Sequence, residues 1–256
     1  MRLAEFATLF ALEEHHWWFR GMREIVAALL DPVAQDLGAG AATRILDLGC
    51  GTGFMLQWLE RYTGGAPVVG LEYSRGGIDF CWSRGHRELV HGTATTLPFA
   101  SGSFDLLTSF EVLDEIPDDA PALSEMARVL RPGGRALIRL PALEWLRSGH
   151  DTSMHTQRRT TAARLAAKLV AAGFEVERAT FANFFLLPPI ATYRLTRNLV
   201  LGVGTAVSDV RPSPPLFRWL DRFLFACLRT EARWLHRPGA RLPIGVSVLC
   251  LARKPR

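Results

Sequence analysis

Arg44-Ile45-Leu46-Asp47-Leu48-Gly49-Cys50-Gly51-Thr52-Gly53 is an apolar strand that runs straight into a glycine-rich turn, and the turn opens a helix at Phe54. Glycine at three positions of five (Gly49, Gly51, Gly53) lets the backbone turn tightly and lets a ligand approach without meeting a Cβ. An ordinary strand-to-helix turn needs only one. Open α/β sheets bind ligands beyond the carboxyl ends of their strands, which is where this turn falls. The spacing is G-x-G-x-G, not the G-x-G-x-x-G of dinucleotide folds, and no Gly-Lys-Ser/Thr follows for a nucleoside triphosphate. Glu72 closes the next apolar run about 20 residues on, the place from which a carboxylate accepts both hydrogens of a ribose diol. These residues point to a nucleoside ligand without phosphates.

Outward from the turn, short β-type runs alternate with helical patterns from Arg44 to Phe181, the mark of βαβ units and a parallel sheet covered on both faces. Strands are expected at Arg44–Leu48, Val68–Glu72, Glu88–His91, Phe104–Ser109, Arg135–Leu140, Glu175–Phe181 and Gly245–Arg253. The fold class is therefore α/β, a Rossmann-like seven-stranded, mostly parallel sheet. Ser74 is expected to cap a helix running to Arg84, Asp118 or Asp119 one running to Leu130, and Thr160 or Thr161 a third that Gly173 ends. Arg131-Pro132-Gly133-Gly134 is read as a break. The whole chain, 1–256, reads as one domain: a helical N-terminal cap (1–31), the core (44–181 and 244–253), and a helical insertion (182–243) holding the amphipathic stretches Ile190–Val203 and Leu216–Leu235 and prolines 188, 189, 212, 214 and 215.

A chain of 256 residues that is 48% hydrophobic buries a sizeable core, which excludes disorder. Cys50, Cys81, Cys227 and Cys250 are scattered without the close pairs of a zinc site or a redox dithiol, so no metal is expected and the thiols suit a reducing cytoplasm. Met1 to Phe10 is too weak for a signal peptide, and no apolar run spans a membrane. The net charge of +5 conceals an asymmetry: residues 1–127 carry 8 Lys+Arg against 18 Asp+Glu, residues 128–256 carry 22 against 7. The bases are dispersed along helical faces and not gathered into a stripe with stacking aromatics, which argues against nucleic acid.

Further features follow in order: Gly92 to Phe99 with Leu97-Pro98-Phe99, Ser103-Phe104-Asp105-Leu106-Leu107, Phe110 to Ile116, and Val129-Leu130-Arg131-Pro132-Gly133-Gly134. With the glycine turn and Glu72, they make the chain resemble the class I S-adenosylmethionine-dependent methyltransferases, in particular the type 11 small-molecule group that includes the quinone-ring methylases, over about Arg44 to Phe181 and the last strand. The resemblance implies S-adenosyl-L-methionine as cofactor and S-adenosyl-L-homocysteine as product. It implies that Asp47, Gly49, Cys50, Gly51 and Gly53 line the methionine and ribose end, that Glu72 holds the ribose hydroxyls, and that Tyr73 flanks the adenine. Thr93, with Ala94 after it, stands where relatives place an adenine-binding aspartate. Glu115 stands where many quinone-methylase relatives carry a histidine.

Methyl transfer from a sulfonium is an in-line displacement, so the protein must chiefly align the reactants and exclude water. If a base is used, His150 and His155 are the candidates, in a loop after the fifth strand whose Ser-x-His-Asp…His-x-Arg-Arg pattern resembles one subset of these enzymes. The aromatic Glu13-Glu14-His15-His16-Trp17-Trp18-Phe19-Arg20 resembles the entry helix of that subset, with Trp18 and Arg20 chosen for cofactor contact. Phe110 and Glu111 are chosen near the methionine; Asp114 and Glu115 either touch the acceptor or are solvated. The insertion, rich in Phe184, Phe185, Leu186, Leu187, Phe217, Trp219, Phe223 and Phe225, would select a greasy or aromatic small-molecule acceptor, cover the core or a dimer face, or present its arginines to an anionic membrane surface. A monomer or homodimer is expected. Two other readings stay open: a cofactor used as a fixed cation without methylation, and a non-catalytic, membrane-apposed scaffold.

Overall fold

A computed structural model describes residues 3–37, 42–201 and 218–256. All seven expected strands form: β1 (Ile45–Leu48), β2 (Val69–Glu72), β3 (Leu89–His91), β4 (Phe104–Phe110), β5 (Leu130–Pro141), β6 (Glu175–Ala182) and β7 (Ser247–Arg253). They make one sheet in the order β3-β2-β1-β4-β5-β7-β6, with β7 alone antiparallel to its neighbours. The carboxyl ends of β1, β2, β4, β5 and β6 therefore share one edge, and the turns that leave that edge build the site.

One boundary differs from expectation. Arg131-Pro132-Gly133-Gly134 does not break the chain before β5 but belongs to it. Gly133 N donates to Lys254 O (2.9 Å) and Lys254 N to Gly134 O (2.8 Å), so the C-terminal segment carries the ladder through the turn. A local proline-glycine signal is overridden by a partner more than a hundred residues away.

The pleat divides the core cleanly. Leu46, Leu48, Leu107, Ile138, Val248 and Cys250 face α5 (Ala120–Val129) and α7 (Ala162–Ala171). Their neighbours Ile45, Leu106, Leu137, Leu249 and Leu251 face α2 (Trp17–Leu37), α3 (Phe54–Leu59) and α9 (Arg218–Leu235). Burial on both faces is why these strands read as continuous apolar runs. The N-terminal cap consists of α1 (Leu3–Leu12) and α2, and it continues past Asp31 to Leu37. In the insertion, α8 (Leu187–Leu201) and α9 match the two amphipathic stretches; Val203, Pro212, Pro214, Pro215, Leu216 and Phe217 lie outside the described residues.

Capping follows expectation in place more than in chemistry. Thr161 Oγ1 accepts from Arg164 N (3.3 Å) at the start of α7, and Gly173 (φ +88°) follows its end. Ser74 precedes α4 (Arg75–Ser83), but its hydroxyl makes no capping bond. Asp119 precedes α5 and turns its carboxylate to Lys168 Nζ (2.6 Å) and Arg158 Nη2 (2.8 Å) instead.

Gly21 sets how closely α2 and α9 approach. A Cβ there would stand 2.2 Å from Leu228 Cδ1 and 2.6 Å from its Cβ. Overpacking of this kind costs about 1–3 kcal/mol, against a helix-propensity gain of roughly 1 kcal/mol for alanine over glycine. Gly21→Ala is therefore expected to lower the urea midpoint. An unchanged or raised midpoint would mean that the two helices separate at no cost.

Candidate functional site

Each glycine of the first turn adopts positive φ: +77° at Gly49, +58° at Gly51 and +87° at Gly53. Their surroundings differ. A Cβ on Gly49 would meet Val112 Cγ2 at 2.2 Å, and one on Gly53 would meet His86 Cδ2 at 2.9 Å, whereas one on Gly51 would meet nothing within 4 Å. Gly49 and Gly53 thus serve packing, and Gly51 faces open space into which a ligand can come against bare backbone. Amides of Gly49 and Cys50 donate to Leu71 O (2.7 and 3.1 Å), holding the turn against the end of β2.

Glu72 is buried beside this opening. Its Oε2 accepts from Gly51 N (2.9 Å) and its Oε1 from Ser74 N (2.8 Å), and Gly77 of α4 leaves it room, since a Cβ there would stand 2.7 Å from Glu72 Cγ. Burial raises its pKa, opposed by the Ser74 and Gly51 amides. Asp47, at the same strand ends, accepts from Thr108 Oγ1 (2.6 Å) and is pushed up to about 6 by burial, against that bond. Cys50 Sγ lies 3.8 Å from Cys81 Sγ of α4, so the fold brings together two cysteines that sequence spacing left apart. Their mutual contact and burial raise the Cys50 thiol.

Tyr73 is 78% exposed, its carbonyl bonded to His91 Nε2 (2.9 Å). Thr93 Oγ1 meets Thr95 Oγ1 at 3.0 Å, and Ala94 is buried. After β4, Glu111 stands at φ +58° and pairs with Arg139 Nε (3.0 Å), whose guanidinium lies 4.9 Å from the Phe110 ring centroid. Asp114 is buried, its carboxyl held well above the usual range by burial and by Glu111 and Glu115. Burial, then the charges of Glu72, Glu111 and Glu5, pushes Glu115 to about 7.

The raised values fix a sign. Asp47 and Glu115 hold their protons more tightly in the folded chain than at their ordinary values of 3.8 and 4.5. Their contribution to stability is fully present below those values and is lost as pH rises through about 6 and about 7. Wild type is expected to lose stability relative to Glu115→Gln between about pH 4.5 and about pH 7.5, read as urea midpoints. Parallel curves would mean that Glu115 ionises as in solvent.

The loop after β5 carries α6 (Gly149–Ser153), started by a capping box between Ser148 and Asp151. His150 is half-buried within it, and His155 is exposed just beyond, at φ +58°. Asp151, a neighbour of both, is buried in a pair with Arg159 (2.8 and 3.1 Å) and holds the loop's shape. Gln157 N donates to Asp114 O (2.8 Å) and Arg158 Nη2 to Leu113 O (3.0 Å), which ties the histidine loop to the carboxylate loop after β4.

Of the N-terminal choices, Trp18 meets Trp17 edge to face at 5.8 Å and packs into the core shared by α2 and α9. Arg20 lays its guanidinium 4.4 Å from the Phe225 ring centroid of α9. The residue that reaches the turn is Glu13, which sequence reading did not single out. It accepts from Thr52 Oγ1 and from Arg84 Nη2 (2.6 Å), while Arg84 Nε donates to Thr52 O (3.0 Å). Nothing in the spacing of Glu13, Thr52 and Arg84 announces this clamp.

Residues 46–138 match the sequence pattern of a protein family described as a methyltransferase domain. A "Probable S-adenosylmethionine-dependent methyltransferase" of Mycolicibacterium smegmatis is 34% identical over 175 residues, covering 66% of this chain and 64% of that protein. Demethylmenaquinone methyltransferase of Staphylococcus aureus is 39% identical over 107 residues, covering 40% of this chain and 44% of that one. The chain thus spans only part of the curated relatives it matches. Among solved structures, an S-adenosylmethionine-dependent methyltransferase of Thermotoga maritima superposes with a TM-score of 0.57 at 18% identity, covering 98% of this chain and 95% of that one, a likeness of fold.

Proposed function

We propose that the chain is an S-adenosylmethionine-dependent methyltransferase like the proteins it is similar to, that it binds S-adenosylmethionine over the glycine turn, and that it methylates a small hydrophobic or aromatic biosynthetic intermediate. The observation that carries the reading is the open side of Gly51 next to the buried Glu72 carboxylate. A carboxylate has about four lone-pair sites. Two amides occupy part of that capacity, and the remainder suits a ribose diol. In this reading residues 1–256 act as one domain, with α1, α2 and residues 182–243 as caps on the core.

When bound, the cofactor supplies an electrophilic methyl on a sulfonium. The chain's part is to hold and shield. Asp47 and the backbone of Gly49, Cys50, Gly51 and Gly53 would hold the methionine and ribose end, Tyr73, Thr93 and Ala94 the adenine, and Phe110 and Glu111 the methionine amine. The carboxylates of Asp47, Glu72, Glu111 and Glu115 would balance the positive charge that the ligand brings into a partly desolvated site. His150 or His155 would accept a proton where the acceptor is an alcohol or carbon, and Trp18 would help exclude water. The acceptor would enter between the histidine loop and the insertion. Four unbridged cysteines suit a cytoplasmic address.

Calorimetric titration with S-adenosylmethionine and S-adenosylhomocysteine tests the reading, with Gly51→Arg filling the open space as control. Saturable binding that the control loses, followed by release of S-adenosylhomocysteine with an acceptor from a hydrophobic panel, is expected. Turnover without release would assign the cofactor a fixed-charge role, and no binding would overturn the enzyme reading.

A further inference from the structure

Helix α9 has two apolar faces, and among the described residues only one is covered. Leu224, Leu228, Ala232 and Leu235 pack into the core with α2. On the other side Trp219, Phe223 and Trp234 are 65%, 60% and 46% exposed. At about 100° per residue these three fall within a sector of about 60°. Arg222, Arg229 and Arg233, all exposed, fall within about 40° of one another on the adjoining flank. Among the described residues none of the three forms a salt bridge. The helix has two acids, Asp221 and Glu231. Glu231 is buried, accepting from the amides of Asn183 (2.7 Å) and Phe185 (2.9 Å), and Asp221 projects from the side opposite the aromatic stripe. The exposed half of α9 is thus an aromatic stripe beside a cationic one, with no carboxylate in either.

We propose that this face docks flat on an anionic lipid bilayer, Trp219, Phe223 and Trp234 entering the headgroup boundary while Arg222, Arg229 and Arg233 meet lipid phosphates. Indole and phenyl rings favour that boundary, and arginines on the flank of an interfacial helix add attraction to negative headgroups. Arg237, 4.9 Å from the Trp234 ring centroid, adds a cation at the far end of the stripe. An antiparallel second copy is disfavoured, because that two-fold interface would set the arginine stripe against itself. No described helix is long and apolar enough to cross a membrane; the contact is with one leaflet. The inference does not depend on the methylation reading.

The test is sedimentation of the full chain with vesicles of phosphatidylglycerol and phosphatidylcholine, against vesicles of phosphatidylcholine alone, at low and high salt. Binding to the anionic vesicles that salt weakens is expected. At about fivefold per arginine, R222Q/R229Q/R233Q should weaken partitioning on the order of a hundredfold. W219S/F223S/W234S should abolish it, with far-ultraviolet circular dichroism and cofactor affinity unchanged in both. Failure of the wild type to sediment with anionic vesicles, or sedimentation of both triple variants equal to that of the wild type, would overturn the proposal. A dimer by light scattering that either variant dissolves, without vesicle binding, would assign the face to a second copy instead.

Discussion

Glu72→Ala is expected to weaken S-adenosylmethionine binding by about 100-fold or more while leaving the sheet intact. A hydrogen bond to a charged group is worth roughly 1.5–3 kcal/mol, and a ribose diol would make two of them. The side chain also accepts from Gly51 N and Ser74 N, so its removal would free the glycine turn and, in the proposed reading, take away the ribose anchor as well. Glu72→Gln separates the two roles. An amide keeps one acceptor but sets an N–H against one of those backbone donors, so an intermediate loss is expected. Calorimetric titration reads both variants, and undiminished affinity in Glu72→Ala would place the ribose elsewhere.

Asp151→Ala is expected to cost about 3–5 kcal/mol of stability, the usual consequence of removing one partner from a buried ion pair. Arg159 would keep its bond to Ala142 O (2.9 Å), but its guanidinium would lose its only described carboxylate contacts, while the buried Arg194 repels it. Burial works against the ionised Asp151, yet the bond and charge of Arg159 and the Ser148 amide outweigh it and keep its pKa low. Urea unfolding measures the loss. The double variant Asp151→Leu, Arg159→Met should recover most of it, because an apolar pair of similar volume removes both desolvated charges. A single variant as stable as wild type would show that solvent reaches Arg159. The same loop bears His150 and His155, so turnover in Asp151→Ala should fall further than in either histidine variant alone.

Most of the fold was legible because its signals are local. Apolar runs such as Ile45–Leu48 and Phe104–Phe110 are buried on both faces, and Gly49, Gly51 and Gly53 need a left-handed backbone that the sequence announces directly. Glu72 was readable for a similar reason: its place at the end of β2 follows from strand periodicity. The start of β5 was misread because its pairing with Lys254 is distant; of the two expected caps of α5, Asp118 accepts from Ala120 N, while the Asp119 carboxylate is claimed by Lys168 and Arg158.

The sequence by itself determined the alternation, the sheet's polarity and the left-handed glycine turn after β1, since each depends on backbone preference within a few residues. Only the tertiary structure decided what closes that turn and what lies around it. The clamp of Glu13, Thr52 and Arg84, the meeting of Cys50 with Cys81, the turning of Arg20 to Phe225 and the burial of Asp151 with Arg159 join segments with no local signal for one another. Side chains so placed are selected by the space and charge that the assembled sheet and helices leave them, and that selection exists only once the chain has packed.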